Sequence, residues 1–362
     1  MEKSYQIEML NVKDADAFIV YYRTSDNKCH LVLIDAGRYG DGEKVQKHLN
    51  TYYSGIPVEL AIVTHPDDDH YGGFIYLLEQ IKNKAKGAVK INKFWINDPR
   101  KHIKVDEVQE SIQRTTLQKR LASIYSVGDK NLLILIEETK ISTEEVFAGS
   151  HKVLFRNVLG YLAEKLAPNT SSQPCFIVLG PTKDYYDEVC KSFRYEHVHV
   201  VETSEEDDVV DEDDFKQTDE CYSKVLDDAP DDGSDHNKSS IIVLFQSIEG
   251  DKILFTGDAS VESFEQMDDA HEKLCHNVQW LKVPHHGSKS NLNSKWIKIF
   301  NPNTAYISTL RRGKYLSQCT INTLKKNKCT IISTHNNQKA DVIRHQALQK
   351  RIGWSAKGLV CC

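Results

Sequence analysis

The sequence predicts an α/β fold whose strands end in metal-type ligands. Three observations carry this. An apolar run, Leu60–Val63, leads into Thr64-His65-Pro66-Asp67-Asp68-Asp69-His70-Tyr71-Gly72-Gly73, and a helix-like run, Phe74–Glu79, leads out. Two later apolar strands end in Gly257-Asp258 and in His285-His286-Gly287-Ser288. Strand-like and helix-like segments alternate along the rest of the chain.

Taken in order, residues 5–35 read as two or three strands, because Phe18–Tyr22 and Cys29–Ile34 are rich in β-branched and aromatic residues. Glu43–Tyr53 reads as a helix, followed by the strand into His65 and a further strand, Lys93–Asn97. Residues 102–168 change character: Val105–Leu121 and Val153–Leu166 show helical spacing, so the segment reads as a helical insertion. Phe176–Thr182 then reads as a strand and turn, and Lys183–Phe193 as a short helix. No repeat is visible among the motifs.

The ligand chemistry follows from residue type. His65, Asp67, Asp69 and His70 form an H-x-D-x-D-H pattern. Imidazole and carboxylate suit zinc, manganese or iron, whereas three or more thiolates would suggest a closed structural zinc. Two histidines and two carboxylates are too many for one catalytic metal that also keeps a water; they suit two adjacent metals sharing a bridging hydroxide. Asp258 is placed to bridge two cations, and His285 and His286 supply late imidazoles. Each later segment alone is weak, since Gly-Asp after a strand is usually a turn and a His pair near a turn is more often structural. An acidic turn with satisfied histidines is the bland alternative for the first cluster.

Together these motifs resemble the metallo-β-lactamase-fold hydrolases, and within them the subgroup similar to the soluble domain of the ComEC DNA-uptake protein. The wider family usually reads H-x-H-x-D-H, and the subgroup carries Asp at the middle histidine, as Asp67 does here. Leu33-Ile34-Asp35-Ala36-Gly37 resembles the subgroup's early strand and turn, and Asn237–Leu244 its N-x-x-S strand. Thr256–Ala259 and His285–Ser288 resemble its later motifs. The resemblance spans roughly residues 5–100 and 173–345. It implies an αβ/βα four-layer sandwich with a helical insertion at 102–168, in one domain over 1–362. It also implies a metal set of His65, Asp67, Asp69, His70, Asp258, His285 and His286, with Asp69, His70 and Asp258 nearest the chemistry.

The chain departs from that pattern in two places. Asn11–Ala17 lacks a glycine-rich turn, and no clear counterpart of the family's third metal histidine lies between His70 and Asp258. His236 is the best positional candidate, but it reads rather as a surface histidine beside an acidic loop; His197 and His199 alternate on a strand-like segment and read as structural. A site poorer in imidazole and richer in oxygen moves the preference from zinc toward manganese or magnesium. The expected cofactor is therefore two divalent metal ions, zinc or manganese, with magnesium admitted.

Composition bounds the function. A chain of 362 residues, 40% hydrophobic and 27% charged, is ordinary for a globular enzyme. No apolar run is long enough to span a membrane. The nine scattered cysteines contain no C-x-x-C pair, and Met1–Tyr5 lacks an apolar signal core, so a cytoplasmic location with no membrane partner is expected.

The charge is uneven. Ser204–Asp235 holds fifteen acidic residues against Lys216 and Lys224, while the whole chain carries −6, which leaves the remainder basic. Residues 203–235 read as an acidic, disordered loop; a sharper reading makes them a polyanion mimic lying over a basic cleft. Lys282, Lys289, Arg311, Arg312 and Lys314 are candidates to line such a cleft. With Asn237 and Ser288, four of these (Lys282, Lys289, Arg311 and Arg312) make up the substrate-binding set. The helix starts expected after Gly72-Gly73 and Gly287-Ser288 would aim backbone N–H groups at an anion. His335 reads as a substrate contact or a structural residue.

The expected function is metal-dependent hydrolysis, as a phosphodiesterase or nuclease acting on DNA or RNA. Hydrolysis of small, including cyclic, nucleotides is the nearest alternative, and a non-catalytic, metal-stabilised interaction module is the second. From the resemblance alone comes the expectation of a defence effector regulated by a protein partner.

Overall fold

The computed structural model describes residues 4–103, 118–119, 121–149, 155–156, 162–163, 174–193, 222–309, 315–334 and 342–345. The first half runs β1 (Tyr5–Leu10), β2 (Phe18–Arg23), β3 (Cys29–Ile34), α1 (Gly42–Tyr52), β4 (Leu60–Ile62), α2 (Asp68–Lys82) and β5 (Lys93–Trp95). There follow β6 (Ser126–Val127), β7 (Lys130–Asn131), α3 (Leu132–Thr139), β8 (Ser142–Glu144), β9 (Phe155–Arg156) and β10 (Leu162–Ala163). The second half runs β11 (Cys175–Gly180), α4 (Lys183–Ser192), α5 (Tyr222–Asp227), α6 (Asp235–Lys238), β12 (Ile242–Gln246) and β13 (Lys252–Phe255). It ends with α7 (Val261–Glu265), α8 (Asp269–Leu274), β14 (Trp280–Lys282), α9 (Ser294–Phe300), β15 (Thr304–Ile307), α10 (Gln318–Lys326), β16 (Thr330–Ser333) and β17 (Val342–His345).

Two sheets result, in the orders β17-β1-β2-β3-β4-β5-β8 and β10-β9-β11-β12-β13-β14-β15-β16. Each is antiparallel at first and parallel later: β1 to β3 pair antiparallel and β3, β4, β5 and β8 parallel, as do β11 to β13 and then β13 to β16.

Strand alternation sorts the side chains into three apolar layers. Phe18, Val20 and Tyr22 of β2 face inward and meet Phe176, Val243, Phe245 and Trp280 of the other sheet. Ile19 and Tyr21, one residue out of phase, face α1 and α2, where Val45, Leu49, Phe74 and Leu78 cover them. On the far side, Leu244, Leu254 and Leu281 are covered by Phe264, Trp296, Phe300 and Leu324. Helices, sheet, sheet and helices form the four layers that the resemblance implied. Each fully buried large side chain contributes about 1.5–3 kcal/mol.

Several local expectations change. The helix after the ligand turn starts at Asp68 rather than after Gly72-Gly73. Those glycines let α2 approach the turn after β3: a Cβ on Gly72 would lie 2.5 Å from the Tyr39 nitrogen, and one on Gly73 2.0 Å from the Ala36 carbonyl oxygen. Gly73→Ala must therefore move backbone, and it is expected to destabilise the fold by about 1–3 kcal/mol or more in denaturant unfolding. A midpoint within error of the parent would contradict this packing. No helix begins at Gly287-Ser288 either; the next is α9, from Ser294.

The described residues of 102–168 include strands as well as helix. There, α3 sits among short strands, and Val153–Leu166 contains β9 and β10, which pair antiparallel. β8 extends the edge of one sheet, and β9 followed by β10 that of the other. Short apolar runs do not separate strand from helix by periodicity, and edge pairing decided it here. Val105–Leu121 falls mostly outside the described residues.

The acidic stretch divides. Residues 203–221 lie outside the described residues, and with them the polyanion-mimic reading. Residues 222–235 are ordered and tie elements together. Asp227 accepts from the Ser294 N–H at 2.7 Å, and Asp231 accepts from the Val261 and Glu262 N–H groups at 2.9 and 2.8 Å, capping α9 and α7.

Candidate metal centre

The site lies where the central parallel strands end, the position that open α/β sheets use for ligands. β3 delivers Asp35, β4 delivers Thr64 and His65, and the first turn of α2 delivers Asp69 and His70, with Asp67 at its N-cap. β13 delivers Asp258, and β14 delivers Lys282 and then His285 and His286. His285, His286 and Gly287 take φ values of 44°, 52° and 93° in succession, a left-handed run that L-residues adopt at a cost. That turn swings His286 back over the strand ends.

Three imidazoles are anchored through Nδ1. His70 Nδ1 donates to Asp35 Oδ2 at 2.8 Å, and His286 Nδ1 donates to the Ser308 carbonyl at 2.9 Å. Thr64 Oγ1 donates to Asp35 Oδ2 at 2.8 Å and lies 3.1 Å from His65 Nδ1, from which it accepts. Nδ1 therefore carries the proton and Nε2 keeps its lone pair.

The three Nε2 atoms converge on one carboxylate oxygen: Asp258 Oδ2 lies 3.4 Å from His70, 3.8 Å from His286 and 4.0 Å from His65. Asp69 Oδ2 sits beside them, 3.2 Å from His286 Nε2. Asp67 Oδ2 lies 3.5 Å from His65 Nε2. Asp258 Oδ1 is engaged behind the site by Lys282 Nζ at 2.9 Å and the His285 N–H at 3.2 Å.

These donors fit cations. His65 Nε2 and His70 Nε2 are buried with no hydrogen-bond partner, which is costly unless a ligand fills the gap. Ligand atoms of His65, His70 and Asp258, and of Asp69, His70 and His286, form two groups each within 4.8 Å. Asp16, Asp35, Asp67, Asp69 and Asp258 surround this point against the buried Lys282 ammonium and the Arg38 guanidinium at the rim, leaving a formal excess of negative charge with neutral imidazoles. Divalent cations would offset it.

The proton affinities report the same field. Burial disfavours a charged imidazole at His70, but Asp258, Asp35 and Asp69 outweigh it and raise the pKa. Burial also opposes the charged Asp258, and Lys282, His70 and His286 overcome it and hold the carboxyl low. A cation binding here would compete with the imidazole protons.

Residues 18–151 match the family model described as the metallo-beta-lactamase superfamily. A stretch of 111 residues is 30% identical to ComE operon protein 3 of Bacillus subtilis (strain 168), covering 30% of this chain and 14% of that protein. The fold is the metallo-β-lactamase fold.

On this metallo-β-lactamase frame, the structure brings His65, Asp67, Asp69, His70, Asp258 and His286 together and sets other expected residues apart. His285 turns away: its Nδ1 lies 3.1 Å from Asp232 Oδ2 and 3.0 Å from Asn291 Oδ1, and its ring packs on Tyr315 with centroids 4.2 Å apart. Of the histidine pair, only His286 faces the cluster. Lys282 is not a surface lysine; it is buried between Asp16, at 2.5 Å, and Asp258. Asn237 donates to Asp232 at 2.6 Å, and the buried Ser288 hydroxyl accepts from the Ser290 N–H at 3.1 Å, so both shape turns. Lys289 is half-buried beyond that turn. Arg311, Arg312, Lys314 and His335 lie outside the described residues. Asp68 faces outward to Arg38, as a spacer should.

Sequence reasoning missed Asp16, the supporting roles of Asp35 and Asp232, and Arg38. Asp16 is fully buried and accepts from Ser308 Oγ as well as Lys282. Its signal was an aspartate between Ala15, Ala17 and Phe18, a charge set in an apolar run. Arg38 follows the Asp35-Ala36-Gly37 turn and is half-exposed, with Nη1 3.3 Å from Asp68 and Nη2 3.8 Å from Asp69.

Proposed function

We propose that this protein is a metal-dependent phosphodiesterase whose substrate is DNA or RNA. The observation that carries the reading is the convergence of three Nδ1-anchored imidazoles on Asp258 Oδ2, with a guanidinium at the rim. His65, Asp67 and Asp258 would hold one divalent cation, and Asp69, His70, His286 and Asp258 a second. Manganese or zinc would supply Lewis acidity toward a phosphoryl oxygen. Asp35 keeps His70 in its ligating tautomer, and Lys282 keeps Asp258 Oδ2 turned inward. Arg38, already beside Asp69, pairs with a non-bridging phosphate oxygen through its planar fork. The partial likeness to ComE operon protein 3 favours a nucleic-acid substrate.

Arg38 gives the test. Arg38→Ala is expected to raise KM for a DNA or RNA substrate several-fold. It should also flatten the plot of log affinity against log salt by about one unit of slope, as loss of one phosphate contact does. An unchanged KM and slope would remove Arg38 from the substrate path. A wild-type affinity that barely responds to salt would favour a small nucleotide over a polymer.

A further inference from the structure

The metallo-β-lactamase pattern normally has histidine where this chain has Asp67, and no clear counterpart of its third metal histidine lies between His70 and Asp258 in sequence. The fold brings one back. His236, in α6, places Nδ1 2.7 Å from Asp67 Oδ1, while Asp67 Oδ2 lies 3.5 Å from His65 Nε2. One carboxylate thus joins an imidazole from the second half of the chain to the cluster in the first.

The contact is built. Ser234 caps α6, and Asn237, the neighbour of His236, is tied to Asp232 at 2.6 Å. Asp232 in turn holds Asn291 at 2.8 Å and His285 at 3.1 Å. The His236 ring also packs on Phe193 with centroids 4.7 Å apart. Both the segment and the ring are therefore fixed, although the Asp67 side chain remains 36% exposed. An exposed carboxylate at a helix N-cap without a cap hydrogen bond would otherwise sample several rotamers.

We propose that His236 is a positioning residue for the first cation site: it engages Asp67 Oδ1 so that Oδ2 is presented beside His65. The Asp67–His236 pair does here what a single histidine does at this place in the wider pattern. The arrangement inverts the usual support, in which a carboxylate orients a ligating imidazole. This inference rests on the two-cation reading above.

The test is manganese titration of chelator-treated protein by calorimetry, with His236→Ala, His236→Asn and Asp67→Ala. Asparagine places an amide N–H near the Nδ1 position and should keep the contact. Wild type is expected to bind two equivalents. His236→Ala should weaken one of them about 10–100-fold, the range for loss of a ligand's supporting group, and leave the other unchanged. His236→Asn should restore most of that affinity, and adding His236→Ala to Asp67→Ala should change nothing further. Metal-free thermal unfolding of each variant checks that the fold is retained. Two wild-type affinities in His236→Ala, or no recovery in His236→Asn, would overturn the positioning role while leaving the two-cation reading intact. Absence of manganese binding by the wild type would overturn both.

Discussion

Asp258→Asn is expected to abolish cation binding at the strand ends and to reduce turnover at least ~100-fold, above the 10–100-fold typical of losing a group that only supports a ligand. Asp258 Oδ2 is the point toward which His65, His70 and His286 all direct Nε2. Asparagine keeps the side-chain shape and removes the charge. It also sets an uncharged amide against the Lys282 ammonium. Calorimetric titration with manganese and a turnover assay check this together. Wild-type stoichiometry in the variant would contradict the placement of Asp258 at the centre.

Lys282→Met is expected to cost the metal-free protein about 3–5 kcal/mol, the range for breaking a buried ion pair by removing one partner. Lys282 Nζ lies 2.5 Å from Asp16 and 2.9 Å from Asp258 and donates to the Gly257 carbonyl at 2.6 Å. Burial alone would lower its pKa, but Asp16 and Asp258 outweigh that and raise it, so the group stays charged. Removing it leaves two buried carboxylates facing one another. Saturating manganese should recover part of the loss, because the cation binds the folded state and supplies positive charge beside Asp258. Denaturant unfolding with and without manganese measures both effects. A loss below about 1 kcal/mol without metal would show that the two carboxylates are stabilised by something other than Lys282.

The strands were legible because runs such as Phe18–Tyr22 are rich in β-branched and aromatic residues, and because apolar runs end in glycine or histidine turns; the four-layer order was legible only through the resemblance of the motifs. The six residues of the cluster were legible because ligand types recur at three strand ends. What remained hidden depends on tertiary pairing. His285 and His286 are adjacent and chemically alike, and only the left-handed turn at 285–287 decides which faces the cluster. Lys282 carries no local sign of burial, since Asp16 comes from a segment far away in sequence. Asp231 and Asp232 look like part of a solvated acidic run, yet they cap α7 and hold Asn237, Asn291 and His285. The short strands β9 and β10 were misread because two-residue strands have no periodicity of their own.

Metal-dependent phosphodiester hydrolysis at this cluster is the proposed activity. The most direct measurement incubates manganese-loaded and zinc-loaded protein with DNA, RNA and cyclic nucleotides, beside an Asp69→Ala control. Cleavage of a nucleic acid by the loaded wild type, lost with chelator and lost in Asp69→Ala, is the expected result. Cations bound at the site with none of these substrates cleaved, or cleavage that persists in Asp69→Ala, would contradict the account.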